Sequence, residues 1–210
     1  MRSIYTLGLA AVAALALMLP ASASASPSAS ASVTLDHLQD AHNGESNAQA
    51  KYLAFAKKAD AEGYASVASL FRAAARAEQI HAANHAVVIQ KLGAKPVATV
   101  KLPEIKSTAD NLKAAVEGES YERDTMYPQF IKDARAAGDA DAVRTFNFAL
   151  AAEGEHATLY TDTSSTLSTL KGAQAATYYV CSVCGKTVVK VDFAKCPVCF
   201  SPKDKYVTVS

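Results

Sequence analysis

Glutamate and histidine recur in this sequence at a spacing that can hold metal ions. The motifs are "EQIH" at 78–81 and "EGEH" at 153–156. Residues three apart lie on the same face of a helix, so each motif would present one carboxylate and one imidazole side by side. Carboxylate and imidazole ligands together suit iron or manganese better than soft metals. The two motifs therefore predict a centre for such ions, provided that both lie in helices.

Two further glutamates share a local sequence and repeat at nearly the same distance from these motifs. "NGES" occupies 43–46 and "EGES" occupies 117–120. Glu45 precedes Glu78 by 33 residues, and Glu119 precedes Glu153 by 34. Independent surface charges have no reason to repeat in this way, whereas an internal duplication would produce the pattern. We infer two helix pairs that carry the same chemistry.

Helices must position these residues, because apolar residues recur at steps of three and four from about residue 34 to 170. Gly63 and Gly93 mark helix ends, and Ser107 is the expected cap of the third helix. Pro128 lies inside the third helix and should kink it. Four long helices with one long crossover, "AKPVATVKLPEIK", predict a mainly α, ferritin-like four-helix bundle. The predicted helices are 34–62 with Thr34 as N-cap, 64–92, 107–137 and 139–170.

The repeated carboxylates fall on the apolar faces of these helices; Glu119 shares its face with Leu112 and Ala115. Buried carboxylates without compensation are expensive, and like charges close together are more so. A pair of metal cations removes that cost. One Glu from each of two helices plus Glu-x-x-His from each of the other two is the ligand set of di-iron bundles. The alternative, solvated glutamates with packed histidines, does not explain the repeat. The predicted ligands are Glu45, Glu78, His81, Glu119, Glu153 and His156.

Three residues near this set are the candidate catalytic residues. Glu122 is one carboxylate more than the set requires, so it is either a seventh ligand or an acid that only neighbours the site. Tyr52 and Tyr127 lie on or near the acid-bearing faces. Most such tyrosines belong to the core with a hydrogen-bonded hydroxyl, but one near the site could bond a ligand or a bound oxygen species.

All four cysteines lie near the C-terminus, in "CSVCG" and "CPVCF". The spacing Cys-x2-Cys-x11-Cys-x2-Cys indicates a tetrahedral thiolate site on a pair of metal knuckles, with β-rich flanks. So small a unit, residues 173–210, needs the metal in order to fold. Two disulfides are the competing prediction, and the spacing does not decide between iron and zinc. The predicted ligands are Cys181, Cys184, Cys196 and Cys199.

The N-terminal residues 1–31 are expected to be a cleaved secretory signal with a Ser/Ala linker. An early Arg and an apolar run precede Ala-x-Ala sites, with cuts expected after Ala23, Ala25 or Ala31. The run is short for a membrane span, so no stable span is expected after cleavage. The protein is then exported, most simply to the periplasm, and residues 32–172 form the bundle. A net charge of +1 gives no electrostatic reason for nucleic-acid binding.

The motifs together resemble the rubrerythrin family. The resemblance runs from about residue 38 to 206 and includes "GESNAQAKYLAFAKKADAEGY", "FRAAARAEQIHA", "NLKAAVEGESYERDTMYPQF", "AAEGEHATLY" and "CPVCFSPKDKY". It implies a ferritin-like non-haem di-iron bundle joined to a rubredoxin-like unit with one thiolate-bound iron. It also implies a peroxidase that reduces hydrogen peroxide to water, with electrons relayed through the thiolate-bound iron in a head-to-tail homodimer.

The same resemblance implies roles for individual residues. Glu122 and His81 would alternate as ligands of one iron, and His156 would bind the other. Glu78 and Glu153 would be bridging or terminal carboxylates, with Tyr52 and Tyr127 near the site. Two residues depart from the family pattern. Lys186 replaces the usual aromatic of the first knuckle, and Phe200 replaces the usual Gly of the second, so the redox potential and metal preference of the small unit stay open. The predicted leader also departs from the usual cytoplasmic setting, so the electron donor stays open.

Two other functions compete with the peroxidase. One is a ferroxidase or iron-handling protein with the same bundle and a structural zinc in the four-cysteine unit. The other is a non-enzymatic binding module whose bundle carries zinc or no metal. Metal content and redox activity separate the three.

Overall fold

The computed structural model describes residue 1 and residues 29–210, with side chains from residue 32 onward. The predicted signal and its cleavage sites up to residue 28 lie outside the described residues. Five α-helices and a small sheet account for most of the described chain. The helices are α1 (Ala29–Ala61), α2 (Ala65–Lys91), α3 (Thr108–Tyr121), α4 (Tyr127–Ala136) and α5 (Ala140–Thr166).

The helix ends follow the sequence signals with one exception. Ser107 caps α3 by accepting a hydrogen bond from the backbone N–H of Asp110, and Asp139 caps α5 through the N–H of Ala142. The predicted N-cap at Thr34 is wrong, because α1 begins at Ala29 and Thr34 lies inside it. Alanine is the strongest helix former, so the Ser/Ala stretch before Thr34 continues the helix instead of ending it.

A π-helical turn separates α3 from α4. It spans Glu122–Met126, and the N–H of Tyr127 bonds to the carbonyl of Glu122 five residues earlier. Pro128 stands in the first turn of α4, where its missing N–H costs no helical hydrogen bond. The break predicted at Pro128 thus takes the form of a widened turn directly before the proline, and that turn carries Glu122.

Two apolar clusters fill the bundle, one on each side of the acidic residues. The first contains the rings of Tyr52, Phe71 and Tyr160, and the second contains Phe130 and Phe146. Along α1, α2 and α5 the acids stand between residues of the two clusters, as Glu45 does between Ala41 and Ala48. The acid-bearing segments of the bundle therefore lie between two packed apolar clusters.

The crossover that joins α2 to α3 is attached to α1 by a ladder of side-chain amides. Gln39, Asn43 and Asn47 accept hydrogen bonds from the backbone N–H groups of Val97, Thr99 and Lys101 at 3.1, 2.8 and 2.8 Å. Gln39 and Asn47 also donate to the carbonyls of Lys95 and Thr99. The helix residues are four apart and the crossover residues two apart, so one face of α1 pairs with one edge of an extended segment. We call this contact the amide ladder.

The C-terminal unit is a three-stranded antiparallel sheet in the order β2–β1–β3 with two cysteine knuckles. The strands are β1 (Tyr178–Cys181), β2 (Thr187–Val188) and β3 (Tyr206–Val209). Tyr178 and Val180 join the first apolar cluster of the bundle, so the sheet packs directly on the helices. Among the described residues, no helix has the length and apolarity needed to cross a membrane.

Candidate metal centre

Six predicted ligands converge in the middle of the bundle, and all are buried. Their donor atoms form two overlapping groups, in each of which the donor atoms lie within 4.8 Å of one another. The first group is Glu45, Glu78, His81 and Glu153, and the second is Glu78, Glu119, Glu153 and His156. The helices α1, α2, α3 and α5 all contribute, as the repeated motifs predict.

Glu78 and Glu153 belong to both groups and span them. The two oxygens of Glu78 lie 2.8 Å from Nδ1 of His81 and 3.3 Å from Nδ1 of His156. Those of Glu153 lie 3.1 and 2.9 Å from the same two nitrogens. Of these two nitrogens, Glu45 lies near that of His81 alone, at 3.8 Å, and Glu119 lies near that of His156 alone, at 3.6 Å. Two shared carboxylates and one carboxylate–imidazole pair at each end form the donor set for two ions.

Several of these donor atoms are buried without any hydrogen-bond partner. They are Oε2 of Glu45, Oε1 of Glu78, Oε2 of Glu119, both oxygens of Glu153 and Nδ1 of His156. A buried acceptor without a partner costs about 1–3 kcal/mol, and more if it is charged. So many orphaned acceptors at one place fit a pair of bound cations, which would satisfy all of them.

Burial and mutual repulsion shift the pKa values of the acids. Burial, and then repulsion from Glu78, raises the pKa of Glu119 to about 7. Burial and repulsion from Glu122 also raise the pKa of Glu45. Burial acts in the same direction on Glu78, but the nearby charge of His156 and the hydrogen bond with His81 hold its pKa at about 2. The carboxylates outnumber the positive charges of the centre, and bound cations would supply what is missing.

The two candidate tyrosines each hold one terminal carboxylate. The hydroxyl of Tyr52 donates to Oε1 of Glu119, and that of Tyr127 donates to Oε1 of Glu45. In both glutamates the other oxygen, Oε2, is the orphaned one. Burial raises the pKa of both tyrosines, which keeps the phenols protonated as donors. Tyr52 and Tyr127 therefore orient carboxylates of the centre.

Glu122 lies at the edge of the centre, outside both donor groups. It is half-buried in the π-helical turn. Burial, followed by repulsion from Glu119 and Glu153, raises its pKa. The structure thus places Glu122 close enough to interact with the centre but not among the grouped donors.

The far nitrogens of both ligand histidines contact the first cysteine knuckle. Nε2 of His81 lies 3.1 Å from the carbonyl of Cys184, which can only accept, so this nitrogen carries hydrogen. Nε2 of His156 lies 3.0 Å from Oγ1 of Thr187, whose hydroxyl donates to the carbonyl of Gly185. In each neutral imidazole Nδ1 is then free to bind metal. These knuckle partners were missed, because contacts between residues 103 and 31 positions apart leave no local signal.

The knuckle and the bundle approach each other most closely at Gly185. Its φ is +78°, which favours glycine. A Cβ there would lie 2.8 Å from Cδ2 of His81 and closer still to Nε2. Beside it, Nζ of Lys186 pairs with Glu155 at 2.6 Å, and Asn84 donates to the carbonyl of Val183 at 2.9 Å. The unusual Lys186 therefore contacts α5 between the two ligands of the "EGEH" motif.

The four cysteines form a second donor group of their own. Sγ of Cys181 lies 3.7 Å from that of Cys199, and Sγ of Cys184 lies 3.6 Å from that of Cys196. A disulfide needs about 2.05 Å, so the thiols are free and the disulfide alternative is not supported. Thiolates at about 2.3 Å from a central ion stand about 3.8 Å apart, which matches. Hydrogen bonding with Cys184 lowers the pKa of Cys181 to about 5.

A further histidine belongs to the surroundings of the centre. His85 is fully buried, and its Nε2 lies 3.2 Å from the hydroxyl of Tyr127. Its Nδ1 lies 3.1 Å from Oγ1 of Thr145. Because Tyr127 gives its proton to Glu45, its oxygen accepts from His85. His85 is thus a packed, hydrogen-bonded neighbour and stands outside both donor groups.

Comparison with known proteins gives the family context of this geometry. The protein-family model described as rubrerythrin matches residues 36–163. The chain is 38% identical to nigerythrin from Nitratidesulfovibrio vulgaris, over 82% of this chain and 85% of that protein. It is 35% identical to rubrerythrin-2 from Clostridium acetobutylicum, over 83% of this chain and 95% of that protein.

Solved structures give the same result. The fully reduced, all-ferrous state of nigerythrin matches with a TM-score of 0.76 at 37% identity, over 83% of this chain and 86% of that one. A bacterioferritin from Desulfovibrio desulfuricans matches with a TM-score of 0.62 over 69% of this chain and 90% of that one. Because its identity is 23%, it shows the ferritin-like fold alone.

Proposed function

The chain belongs to the rubrerythrin family, and on that premise we propose that it is a non-haem di-iron peroxidase. It reduces hydrogen peroxide to water at the carboxylate centre. The four cysteines would hold a third iron, which would supply the one-electron chemistry that re-reduces the carboxylate centre. The reaction consumes two electrons and two protons for each peroxide and yields two waters.

The observation that carries this proposal is the pair of spanning carboxylates. Glu78 and Glu153 each direct one oxygen toward each ligand histidine, and both are fully buried. Glu78 and Glu153 would hold two ions close enough together to act on one substrate. When bound, two ferrous ions would supply the two electrons that peroxide needs.

The residues of the chain supply orientation and protons. Tyr52 and Tyr127 each fix one oxygen of a terminal glutamate, which leaves the other oxygen for a metal ion. Glu122 is the one carboxyl of the π-helical turn that interacts with the acids of the centre without belonging to either donor group. We therefore take its carboxyl as the candidate proton donor to a departing oxygen. Its exchange with His81 as a ligand is the further role that the family resemblance implies.

The contact between Cys184 and His81 supports the electron relay. Cys184 is one of the four thiolate ligands, and its own carbonyl bonds to the ring of a bundle ligand. An electron path from the thiolate of Cys184 to the imidazole of His81 would then run through the backbone of Cys184 and one hydrogen bond. In this chain the four-cysteine unit contacts its own bundle, so the relay has a route within one subunit. The head-to-tail homodimer stays a prediction, as does export with a donor outside the cytoplasm.

Anaerobic reaction of the fully reduced protein with peroxide tests the proposal. We expect about three irons per chain and oxidation of both centres, with ferric–thiolate colour appearing after the di-iron site reacts. Glu119→Gln should abolish the reaction because it removes one terminal ligand. Glu117→Gln, an exposed change on the same helix, should leave it intact.

Two results would overturn the proposal. One is a colourless four-cysteine site with rapid iron(II) oxidation by oxygen and no peroxide turnover, which is the behaviour of a ferroxidase with structural zinc. The other is an iron-free bundle with no redox activity, in which Glu119→Gln changes nothing.

A further inference from the structure

The two cysteine knuckles share one backbone shape but differ in the residue that follows the second cysteine. In each knuckle the residue after the second cysteine bonds through its N–H to the carbonyl of the first, Gly185 to Cys181 at 2.9 Å and Phe200 to Cys196 at 3.0 Å. The φ angles are +78° at Gly185 and +60° at Phe200. Glycine adopts this conformation freely, whereas a residue with a Cβ is strained there.

Nothing in the described part of the chain compensates Phe200 for this strain. Its side chain is 72% exposed, more than that of any other large apolar residue of 32–210. It takes part in none of the ring contacts found among the described residues. Glycine would adopt this conformation without strain. An exposed Phe at this position therefore indicates that its ring contacts another molecule.

Phe200 stands beside the most accessible thiolate. Cys181, Cys184 and Cys196 are fully buried, but Cys199 is not. The first knuckle faces the bundle through Cys184 and Gly185. The second knuckle therefore offers the opening through which an external molecule comes closest to the four-thiolate site.

The surface around this opening is basic. Residues 173–210 contain five lysines and two aspartates. Lys186 pairs with Glu155 and Lys190 with Asp192. The other three, Lys195, Lys203 and Lys205, are exposed, and no ion pair involves them among the described residues.

Two of the unpaired lysines flank the second knuckle. Lys195 forms a β-bridge with Pro202, and the N–H of Lys203 bonds to the carbonyl of Ala194 at 3.1 Å. An exposed ring with unpaired cations beside it complements an apolar contact surrounded by acidic residues. We call Phe200, Lys195 and Lys203 the Phe200 surface.

We propose that the Phe200 surface is the docking site for a small one-electron carrier protein with an acidic face. The inference rests on the proposed function, in which the four cysteines hold a redox-active iron. In the step, the reduced carrier loses one electron and the ferric centre gains it, with no bond formed or broken. Electrons enter beside Cys199 and leave toward His81 beside Cys184.

Binding to protein whose four-cysteine site is loaded with zinc tests the surface without redox chemistry. The probe is a plant-type [2Fe–2S] ferredoxin, which is acidic, and the measurement is isothermal titration calorimetry. We expect Phe200→Gly and the pair Lys195→Gln with Lys203→Gln each to raise Kd about tenfold or more, and added salt to weaken binding. Lys57→Gln, an exposed lysine of α1, is the matched charge control and should change nothing.

Reduction kinetics give the second readout. Reduced ferredoxin should reduce the ferric–thiolate centre of Phe200→Gly about tenfold more slowly than that of the wild type, whereas dithionite should reduce both equally. The proposal is overturned if the variants bind ferredoxin as the wild type does, or if basic cytochrome c binds more tightly than ferredoxin. It is also overturned if Phe200→Gly slows dithionite equally or shifts the reduction potential, because the ring then acts on the centre itself. If the wild-type protein binds ferredoxin as expected but does not turn over peroxide, the proposed function is contradicted and the docking surface is not.

Discussion

The carboxylate centre and the four-cysteine site obtain their geometry in opposite ways. The six ligands of the bundle come from four helices between residues 45 and 156, with a large apolar cluster on each side. The four cysteines lie within residues 181–199, and three of them, Cys181, Cys184 and Cys196, are the buried residues of the local cluster. Packing therefore places the carboxylates, whereas in the small unit little besides the metal can place the thiolates.

This difference predicts what each metal does for its site. In the bundle the fold brings acids together at an electrostatic cost, and cations would relieve it. In the small unit the bound ion replaces the missing core. The following experiments test this contrast, from the largest expected effect to the smallest.

Removal of metal by a chelator under reducing conditions should affect the two regions very differently. We expect amide protection in 181–201 to be lost, because structural ions of such units contribute about 10–16 kcal/mol in small peptides. The helices α1 and α2 should stay protected. Hydrogen exchange followed by mass spectrometry measures both regions at once. Knuckles that stay protected without metal would contradict the contrast.

The metal-free bundle should lose stability as pH rises from about 4.5 to 7. Burial raises the pKa of Glu119 to about 7, so the folded state holds this proton more tightly than the unfolded chain does. That stabilisation is complete below pH 4.5 and is lost as pH rises through 7. A shift of this size is worth on the order of 3 kcal/mol. Glu78, whose pKa is lowered to about 2, acts only below this window.

Thermal unfolding of metal-free protein at pH 5 and pH 8 measures this effect. Glu119→Gln should reduce the difference, because the amide does not ionise, while Glu117→Gln should keep it in full. Glu45 and Glu122, whose pKa values are also raised, should account for what remains. In the loaded protein the trend should reverse, since ligands must lose protons to bind metal. Equal pH dependence of the wild type and Glu119→Gln would show that Glu119 is not the strained acid.

Gly185→Ala tests the contact between the two regions. The new Cβ would overlap the ring of His81, and the backbone at φ +78° is strained for alanine. We expect a loss of about 1–3 kcal/mol in unfolding free energy and slower electron transfer between the centres. Gly138→Ala is the control, since φ there is +72° but nothing lies within 4 Å. Similar losses in both variants would mean that the contact with His81 contributes nothing.

The smallest effect is expected from the ion pair between Lys186 and Glu155. The side chains are 15% and 34% exposed, so solvent screens the interaction and its coupling should be about 1 kcal/mol or less. A double-mutant cycle with Lys186→Gln and Glu155→Gln measures it, as urea unfolding at low and high salt. Exchange of the two charges should restore most of the coupling. A coupling of zero at low salt would show that Lys186 does not hold the knuckle to α5.

Local patterns predicted the helices, the cap at Ser107 and the six convergent ligands, because each depends on spacing within one helix. The start of α1 was missed because alanine before Thr34 extends a helix without any signal. The π-helical turn at Glu122–Met126 was not foreseen either, since a proline marks a break but not its form.

Contacts between the two regions were beyond local patterns. The hydrogen bonds from His81 to Cys184 and from His156 to Thr187 join segments with no shared periodicity. The sequence did mark Lys186 and Phe200 as departures from the family pattern. Their meaning required the structure, which turns the first toward the bundle and leaves the second exposed.

The amide ladder sets a limit on the length of the crossover. Four helical residues rise about 6.0 Å and two extended residues about 6.6 Å, so successive rungs drift apart by about 0.6 Å. The next rung would pair residue 51 with residue 103, but Lys51 has no side-chain acceptor and Pro103 has no N–H. The ladder thus ends where the difference in rise has accumulated and where residues 51 and 103 offer neither the acceptor nor the donor for a further hydrogen bond. Deleting one residue between Val97 and Lys101 would turn the alternate N–H groups away from α1. The crossover between the two halves of the duplication should therefore tolerate changes of side chain more readily than changes of length.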